Sequence, residues 1–448
     1  MKRLYSRYIT PLYIHGRTWM LLVVSAIGFI LSFFYPWLSI LPRILLGITL
    51  GLFVLDHLML FLPKQGLRAA RELPERLSNG DENPVTLRLQ NAYPFPVSTV
   101  VIDEFPVQFQ LRDTVFTCKV PAGGENTIRY TLRPTKRGAY GFGVINVYVR
   151  GPIGLLSRRY KAGVPIEVPV YPSYLQMRRY QLMAISNRLS EIGVKKIRRI
   201  GHSMEFEQVK EYVKGDDFRT INWKATARRG QLMSNAYTDE KSQQVYCLID
   251  KSRVMKMPFN GLSLLDHAIN AAVVLCNVAL LRNDKAGVIT FSEEIGGFLP
   301  AARTSTQMNS VLDMLHRQRT RYLESDYGKL YALVRKRITQ RSLLLLFTNF
   351  ATVNGLRRQL GHLRRLSEHH LLIVIFFEDT ELRSVLQKPA DGLEEVYQKT
   401  IAEKFAFEKK QIISELQHWG IMSIFTAPED LTVNTVNKYL ELKARQQI

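Results

Sequence analysis

Two long apolar runs lie near the start of the chain. From Trp19 to Trp37 it reads WMLLVVSAIGFILSFFYPW, without a charge; after Pro42-Arg43 comes ILLGITLGLFVLDHLMLFL, Ile44 to Leu62. Each has about the 20 residues that a helix needs to cross hydrocarbon. The pattern predicts a transmembrane helical hairpin within residues 1–66, with spans near 19–37 and 44–62 and with Trp19, Tyr35 and Trp37 at the interfaces. A second run so soon after the first argues against a cleaved signal peptide. Lys2, Arg3, Arg7 and Arg17 precede the hairpin, and Lys64, Arg68, Arg71 and Arg76 follow it. Only Arg43 lies near the turn. The positive-inside rule then predicts a multi-pass protein of the inner (cytoplasmic) membrane, both termini cytoplasmic. Asp56 and His57 interrupt the second run toward its end. They are read as reaching the interface or pairing within the hairpin, with a proton or ion pathway as the alternative.

Beyond the hairpin the period changes to two. VTLRLQN, STVVIDEF, NTIRYTLRP, FGVINVYVRG and IEVPVYP are short, rich in β-branched residues and separated by turn residues such as Ala122-Gly123-Gly124. Such spacing predicts an all-β antiparallel sandwich over 67–173, with a spacing or recognition role. Residues 174–242 read as a basic, partly helical connector followed by a dense mixed-charge motif. From 243 to 448 apolar strands alternate with helices: QVYCLID, KAGVITF, SLLLLFTN, HLLIVIFF and IMSIFTA are the strands. Leu262–Arg282 is a helix apolar on most sides and therefore buried. This alternation predicts an α/β doubly wound sheet, mostly parallel.

Composition adds a formal charge of +22. That surplus calls for an acidic partner, and on a membrane-tethered chain anionic lipid headgroups are the simplest. The three cysteines, Cys118, Cys247 and Cys276, are far apart and form no Cys/His cluster, so neither a disulfide framework nor a zinc site is indicated. The phosphate-loop pattern GxxxxGK[ST] is absent, and with it the expectation of nucleotide hydrolysis.

Candidate chemistry gathers in two places. The first is EFEQVKEYVKGDDFRTINWKATARRG, Glu205 to Gly230. Gly215-Asp216-Asp217 signals a turn whose acids can cap a helix begun by Phe218. Phe218, Ile221 and Ala225 stand at helical spacing, and Arg219 and Arg228 can fork onto Glu205, Glu211 or the two Asp side chains. Trp223 supplies bulk and a donor. The segment reads as a clamp between modules or as a docking surface. Paired acids without a nucleophile or dedicated base do not make a recognisable catalytic set. Trp223 among Lys224, Arg228 and Arg229 could stack a base, but interleaved acids and the lack of an RNA-binding signature argue against nucleic acid. The second place is the carboxyl end of the strands, where open α/β sheets bind ligands. There Asp250, Ser252, Ser325 and Thr348 offer one acid and three hydroxyls, a donor type suited to Mg²⁺.

At these residues a resemblance becomes plain. The layout resembles a von Willebrand factor A-like domain. Glu205, Phe206, Tyr212, Gly215, Asp216, Asp217, Arg219, Ile221, Trp223, Lys224, Ala225, Ala227 and Arg228 are similar to the signature of the bacterial domain of unknown function fifty-eight. The resemblance implies a metal motif D-x-S-x-S, a Thr on a second loop, and T-D or S-D after a later strand. Here Asp250 and Ser252 match, Val254 and Asn349 do not, and Ser325 stands for the second loop. It therefore implies a degenerate site, without a cofactor or with weak Mg²⁺ binding. It also implies company with a MoxR-type AAA+ ATPase, hence a non-enzymatic membrane-anchored adaptor or assembly factor that binds protein partners in envelope-related processes. The alternatives are a Mg²⁺-dependent protein-binding module and a binder of nucleic acid or anionic lipid.

Overall fold

The computed structural model describes residues 10–63, 65–111, 114–185, 205–213, 216, 218–238, 242–320, 322–389 and 392–447. The chain divides into two compact units, Met1–Val170 and Tyr171–Ile448.

The first unit joins an apolar helix pair to a β-rich region. A short strand β1 (Leu12–Ile14) leads into helix α1 (Gly16–Phe34), a turn at Pro36–Ser39, and helix α2 (Ile40–Phe61). Both helices are long and apolar enough to cross a membrane. Large side chains such as Phe33, Phe34 and Leu50 stand exposed on them. That surface would be unstable in water and is at home in hydrocarbon.

Strands β2 (Leu67–Glu72), β3 (Leu77–Ser78), β4 (Asn83–Asn91), β5 (Val97–Asp103), β6 (Val115–Val120), β7 (Glu125–Leu132), β8 (Gly138–Phe142), β9 (Ile145–Arg150), β10 (Leu156–Ala162) and β11 (Ile166–Tyr171) follow. They form antiparallel sheets in the orders β1-β10-β9-β5-β6, β2-β4-β7 and β3-β11-β8. Period-two alternation puts Leu87 and Leu89 of one sheet against Val101, Val147 and Val149 of another in one core. The end of α2 is part of this core through Leu60 and Phe61.

Asp56 bonds to the β-rich region rather than within the hairpin. Its Oδ2 accepts the backbone N–H groups of Leu155 and Leu156 at 2.9 and 2.8 Å. Arg158 completes the fastening, donating to the carbonyls of Leu60, in the last turn of α2, and Pro63, just past its end, at 2.6 and 2.9 Å. A cation at a helix C-terminus meets orphan carbonyls and the negative end of the dipole.

In the second unit, helix α3 (Tyr174–Ile185) buries Met177 and Tyr180 in the α/β core, so the start of the expected connector belongs to the domain. The remainder of that basic run, 186–204, lies outside the described residues. Strands β12 (Glu205–Glu211) and β13 (Met233–Thr238) flank helix α4 (Trp223–Arg229). The main sheet comprises β14 (Gln244–Asp250), β17 (Lys285–Phe291), β18 (Ile295–Ala302), β19 (Leu343–Phe347), β20 (Leu371–Phe377) and β21 (Met422–Thr426), with a two-stranded ribbon β15 (Pro258–Phe259) and β16 (Leu262–Ser263) after β14. The order is β18-β17-β14-β19-β20-β21. Only β18 runs antiparallel, on β17.

Helices α5 (Leu264–Leu281), α6 (Gln307–His316), α7 (Tyr327–Arg337), α8 (Val353–His369), α9 (Thr380–Gln387), α10 (Leu393–His418) and α11 (Leu431–Ala444) cover the sheet. Val245, Cys247 and Ile249 face α5 and α11, whereas Tyr246 and Leu248 face α7, α8 and α10. Continuous apolar strands follow from burial on both faces. α5 is a third helix apolar enough to cross a membrane, but fifteen of its residues are buried inside this fold.

Candidate functional site

The chain order of the sheet reverses between β17 and β19, on either side of β14. At that switch point the carboxyl ends of neighbouring strands meet. Asp250, the last residue of β14, is 1% exposed. Its Oδ1 accepts the Ser252 N–H at 2.8 Å and the Ser325 hydroxyl. Its Oδ2 accepts the Thr348 hydroxyl at 2.7 Å. The four residues named from sequence are thus brought together, Ser325 from the loop before α7 and Thr348 from just past β19. The Tyr327 hydroxyl lies 2.9 Å from that of Thr348.

Burial raises Asp250 above the usual carboxylate range, although its hydrogen bonds oppose the shift. Burial and the Asp250 charge push the Tyr327 phenol well up. The expected departures have physical content. Val254 packs against the apolar core. Asn349 accepts a hydrogen bond at 2.8 Å from the ammonium of Lys409, which also donates to the Phe350 carbonyl at 2.6 Å. Burial lowers Lys409 to about 8. The Asp250 carboxylate thus already accepts from three donors, and the Asn349 amide oxygen is held by an ammonium.

The signature segment is built differently from its helical reading. β12 and β13 pair antiparallel, with a register shift between Phe206 and Gln208. Residues Phe218–Thr220 make a single 3-10 turn, Ile221 bridges to Ser234, and the helix starts only at Trp223. Its cap is Asn222, whose side chain accepts the Ala225 N–H at 3.0 Å. Asp216 instead accepts from Lys210 Nζ at 3.0 Å and the Val213 N–H at 3.2 Å; the Lys210 bond holds its carboxyl below the ordinary range.

Ile221 and Met233 are buried anchors, but Phe218 is 67% and Trp223 62% exposed. Their rings meet edge to face, centroids 6.3 Å apart. Tyr212 is half-buried, and its N–H donates to the Leu232 carbonyl at 2.8 Å. Lys224 and Arg228 are exposed, and no ion pair joins Arg228 to an acid among the described residues. Gly215 and Asp217 lie outside the described residues, as do the side chains of Glu205, Phe206 and Arg219.

Residues 208–415 match the family described as "Protein of unknown function DUF58". That stretch, a little under half of the chain, is similar to this family. The DUF58 match runs from β12 into α10 and so takes in the signature segment, Asp250 and Lys409. The "Uncharacterized protein YeaD" of Bacillus subtilis (strain 168) is 28% identical over 203 residues, 43% of this chain and 50% of that protein. The match therefore spans about half the length of this curated relative. Among solved structures, the CARDB domain of a Pyrococcus furiosus protein, crystallised with di-metal ions, is similar over 23% of this chain and 86% of its own, at 16% identity and a TM-score of 0.18. The ASH/PapD-like domain of human CEP192 is similar over 24% of this chain and 84% of its own, at 12% identity and a TM-score of 0.16. Scores this low carry no weight for fold or function.

Within the DUF58 region, sequence reasoning passed over Lys409. It sits in a charged helical stretch, FAFEKKQII, that reads as a solvated face. Only the fold shows its ammonium, on a half-buried side chain, turned inward to Asn349 and Phe350. With Phe259, Phe377, Leu382, Phe405 and Phe425 it lines a cavity of about 410 Å³ outside the strand ends.

Proposed function

We propose that this chain is a non-enzymatic, membrane-anchored adaptor that binds protein partners through the β12–α4–β13 extension. The observation that carries the reading is the exposed Phe218–Trp223 pair. Two large aromatic rings in solvent, beside Lys224 and Arg228 and held by buried Ile221 and Met233, have the composition of an interface hot spot. Glu211, Tyr212 and Asp216 lie on the same extension, which suits a surface that sorts partners by charge.

The α/β unit is read as a von Willebrand factor A-like domain, which the sheet order with its antiparallel edge strand supports. The strand-tip cluster is read as a metal-free relic, supported by the Lys409–Asn349 bond. α1 and α2 are read as a hairpin in the inner membrane, both termini cytoplasmic. A MoxR-type AAA+ ATPase is the proposed partner, serving envelope-related assembly.

Crosslinking in native membranes followed by partner identification tests this. Trp223→Ala and Phe218→Ala are expected to lose captured protein while melting like the wild type. If both variants capture the same partners as the wild type, the docking surface lies elsewhere. A Mg²⁺-dependent module is the second reading, favoured by the meeting of Asp250, Ser252, Ser325 and Thr348. Calorimetry with Mg²⁺ separates it from the first: heat that Asp250→Asn abolishes supports it, and no heat removes it.

A further inference from the structure

The β-rich part of the first unit carries a charged row that no sequence pattern announces. Ser98 on β5 lies opposite Lys119 on β6 to one side and Arg150 on β9 to the other. Directly opposed residues share one face of a sheet. The turn after β9 brings the start of α1 beside this row. The His15 N–H donates to the Leu155 carbonyl at 3.0 Å, and the His15 ring shares a hydrogen bond with the Arg150 guanidinium. One residue into the helix, Arg17 lies over Gly154, where a Cβ atom would stand 3.3 Å from its Nη1. Gly154 also has φ +71°, so glycine serves both the turn and the clearance.

His15, Arg17, Ser98, Lys119 and Arg150 line a cavity of about 300 Å³. Three basic side chains and a histidine face it, and no carboxylate is in its lining among the described residues. Among the described residues, none of the three cations has an acid within salt-bridge distance. The acid behind Gly151 is Asp56: its Oδ1 is buried beneath the glycine, outside the cavity lining, and its Oδ2 is taken by the Leu155 and Leu156 N–H groups. Gathering like charges in one concavity is unfavourable unless an anion enters it. Guanidinium groups and an ammonium are the side chains that grip phosphate. The location narrows the source, because Arg17 stands in the first turn of α1, two residues before the exposed Trp19. That is the depth of headgroups at the end of a span.

We propose that this pocket binds the phosphate of an anionic phospholipid headgroup. The proposal rests on the reading of α1 and α2 as a membrane hairpin, and alkaline carbonate extraction tests that reading separately. The binding test uses the full chain in detergent and native mass spectrometry to count retained lipid. The wild type should retain phosphatidylglycerol in preference to phosphatidylcholine. The double variant Arg17→Gln/Lys119→Gln should weaken phosphatidylglycerol retention about tenfold. The control Lys336→Gln/Arg337→Gln, which removes the same charge from an exposed helix end, should leave it unchanged.

Equal retention of the two lipids by the wild type overturns the proposal without recourse to any variant. Undiminished retention by the pocket variant, or an equal loss in the control, overturns it as well. Inorganic phosphate and glycerol phosphate are added as competitors. If either displaces the lipid at equal concentration, the pocket takes free phosphate and the lipid assignment fails.

Discussion

Asp56, within the second apolar helix, accepts the backbone N–H of Leu155 at 2.9 Å. The Leu156 N–H donates to the same oxygen. An acid in an apolar span is here a structural acceptor that ties the helix to a turn of the β-rich region. Asp56→Leu should leave two buried donors unmet and cost about 2–5 kcal/mol. The expected readout is a lower melting temperature and new protease sensitivity in the first unit. Asp56→Asn, which keeps an oxygen in place, should fall between leucine and the wild type.

At the strand tip, Asp250 gathers three donors inside the protein. Asp250→Ala should leave the Ser252 N–H and the hydroxyls of Ser325 and Thr348 without their acceptor, costing about 2–4 kcal/mol in chemical denaturation. Asp250→Asn should cost far less. The folded-state pKa of Asp250 is raised, so just above the ordinary carboxylate range the folded state holds a proton that the unfolded chain has lost. Wild-type stability therefore falls with rising pH across that window, and Asp250→Asn should gain on the wild type there.

Lys409 gives the opposite sign. Its folded pKa is lowered from 10.5 to about 8, chiefly by burial, with Asp379 and Glu408 opposing. Glu378, Glu381, Arg383 and Lys410 share the adjoining cavity wall. Below about 8 the ammonium is charged in both states, and its burial cost is fully present. As pH rises through about 8 the folded state releases its proton first, and the cost is relieved. The stability of the wild type relative to Lys409→Met should rise between pH 7 and 10 by on the order of 2–3 kcal/mol. A flat difference across that range would show that the ammonium is well solvated.

The signature segment separates anchors from contacts. Trp223→Ala removes an exposed ring and should change stability by no more than about 0.5 kcal/mol. Ile221→Ala removes a buried anchor and should cost about 2–4 kcal/mol locally, seen as faster hydrogen exchange across β12 and β13. Equal effects of the two substitutions would mean that Trp223 is packed rather than presented.

Much of the architecture is legible along the chain because periodicity is a local property. The apolar runs at 19–37 and 44–62, the alternation in VTLRLQN and the continuous strand SLLLLFTN each announce an element. Asp250 and Thr348 can be named as neighbours because each ends such a strand. The failures share one cause. Phe218, Ile221 and Ala225 are spaced as a helix, but pairing of Ile221 with Ser234 and capping by Asn222 start the helix later. Lys409 escaped because burial depends on what packs over a residue, not on its sequence neighbours.

By itself the sequence determined which stretches are apolar, at what period, and hence the two long spans, the β-rich region and the α/β alternation. Tertiary structure alone decided what each polar group meets: Leu155 for Asp56, Asn349 for Lys409, and the shared face of Ser98, Lys119 and Arg150. It also decided that α5, as greasy as a membrane span, lies against a sheet. Hydrophobic period is written in consecutive residues, whereas the partner of a buried charge is set by chain segments that meet only when folded.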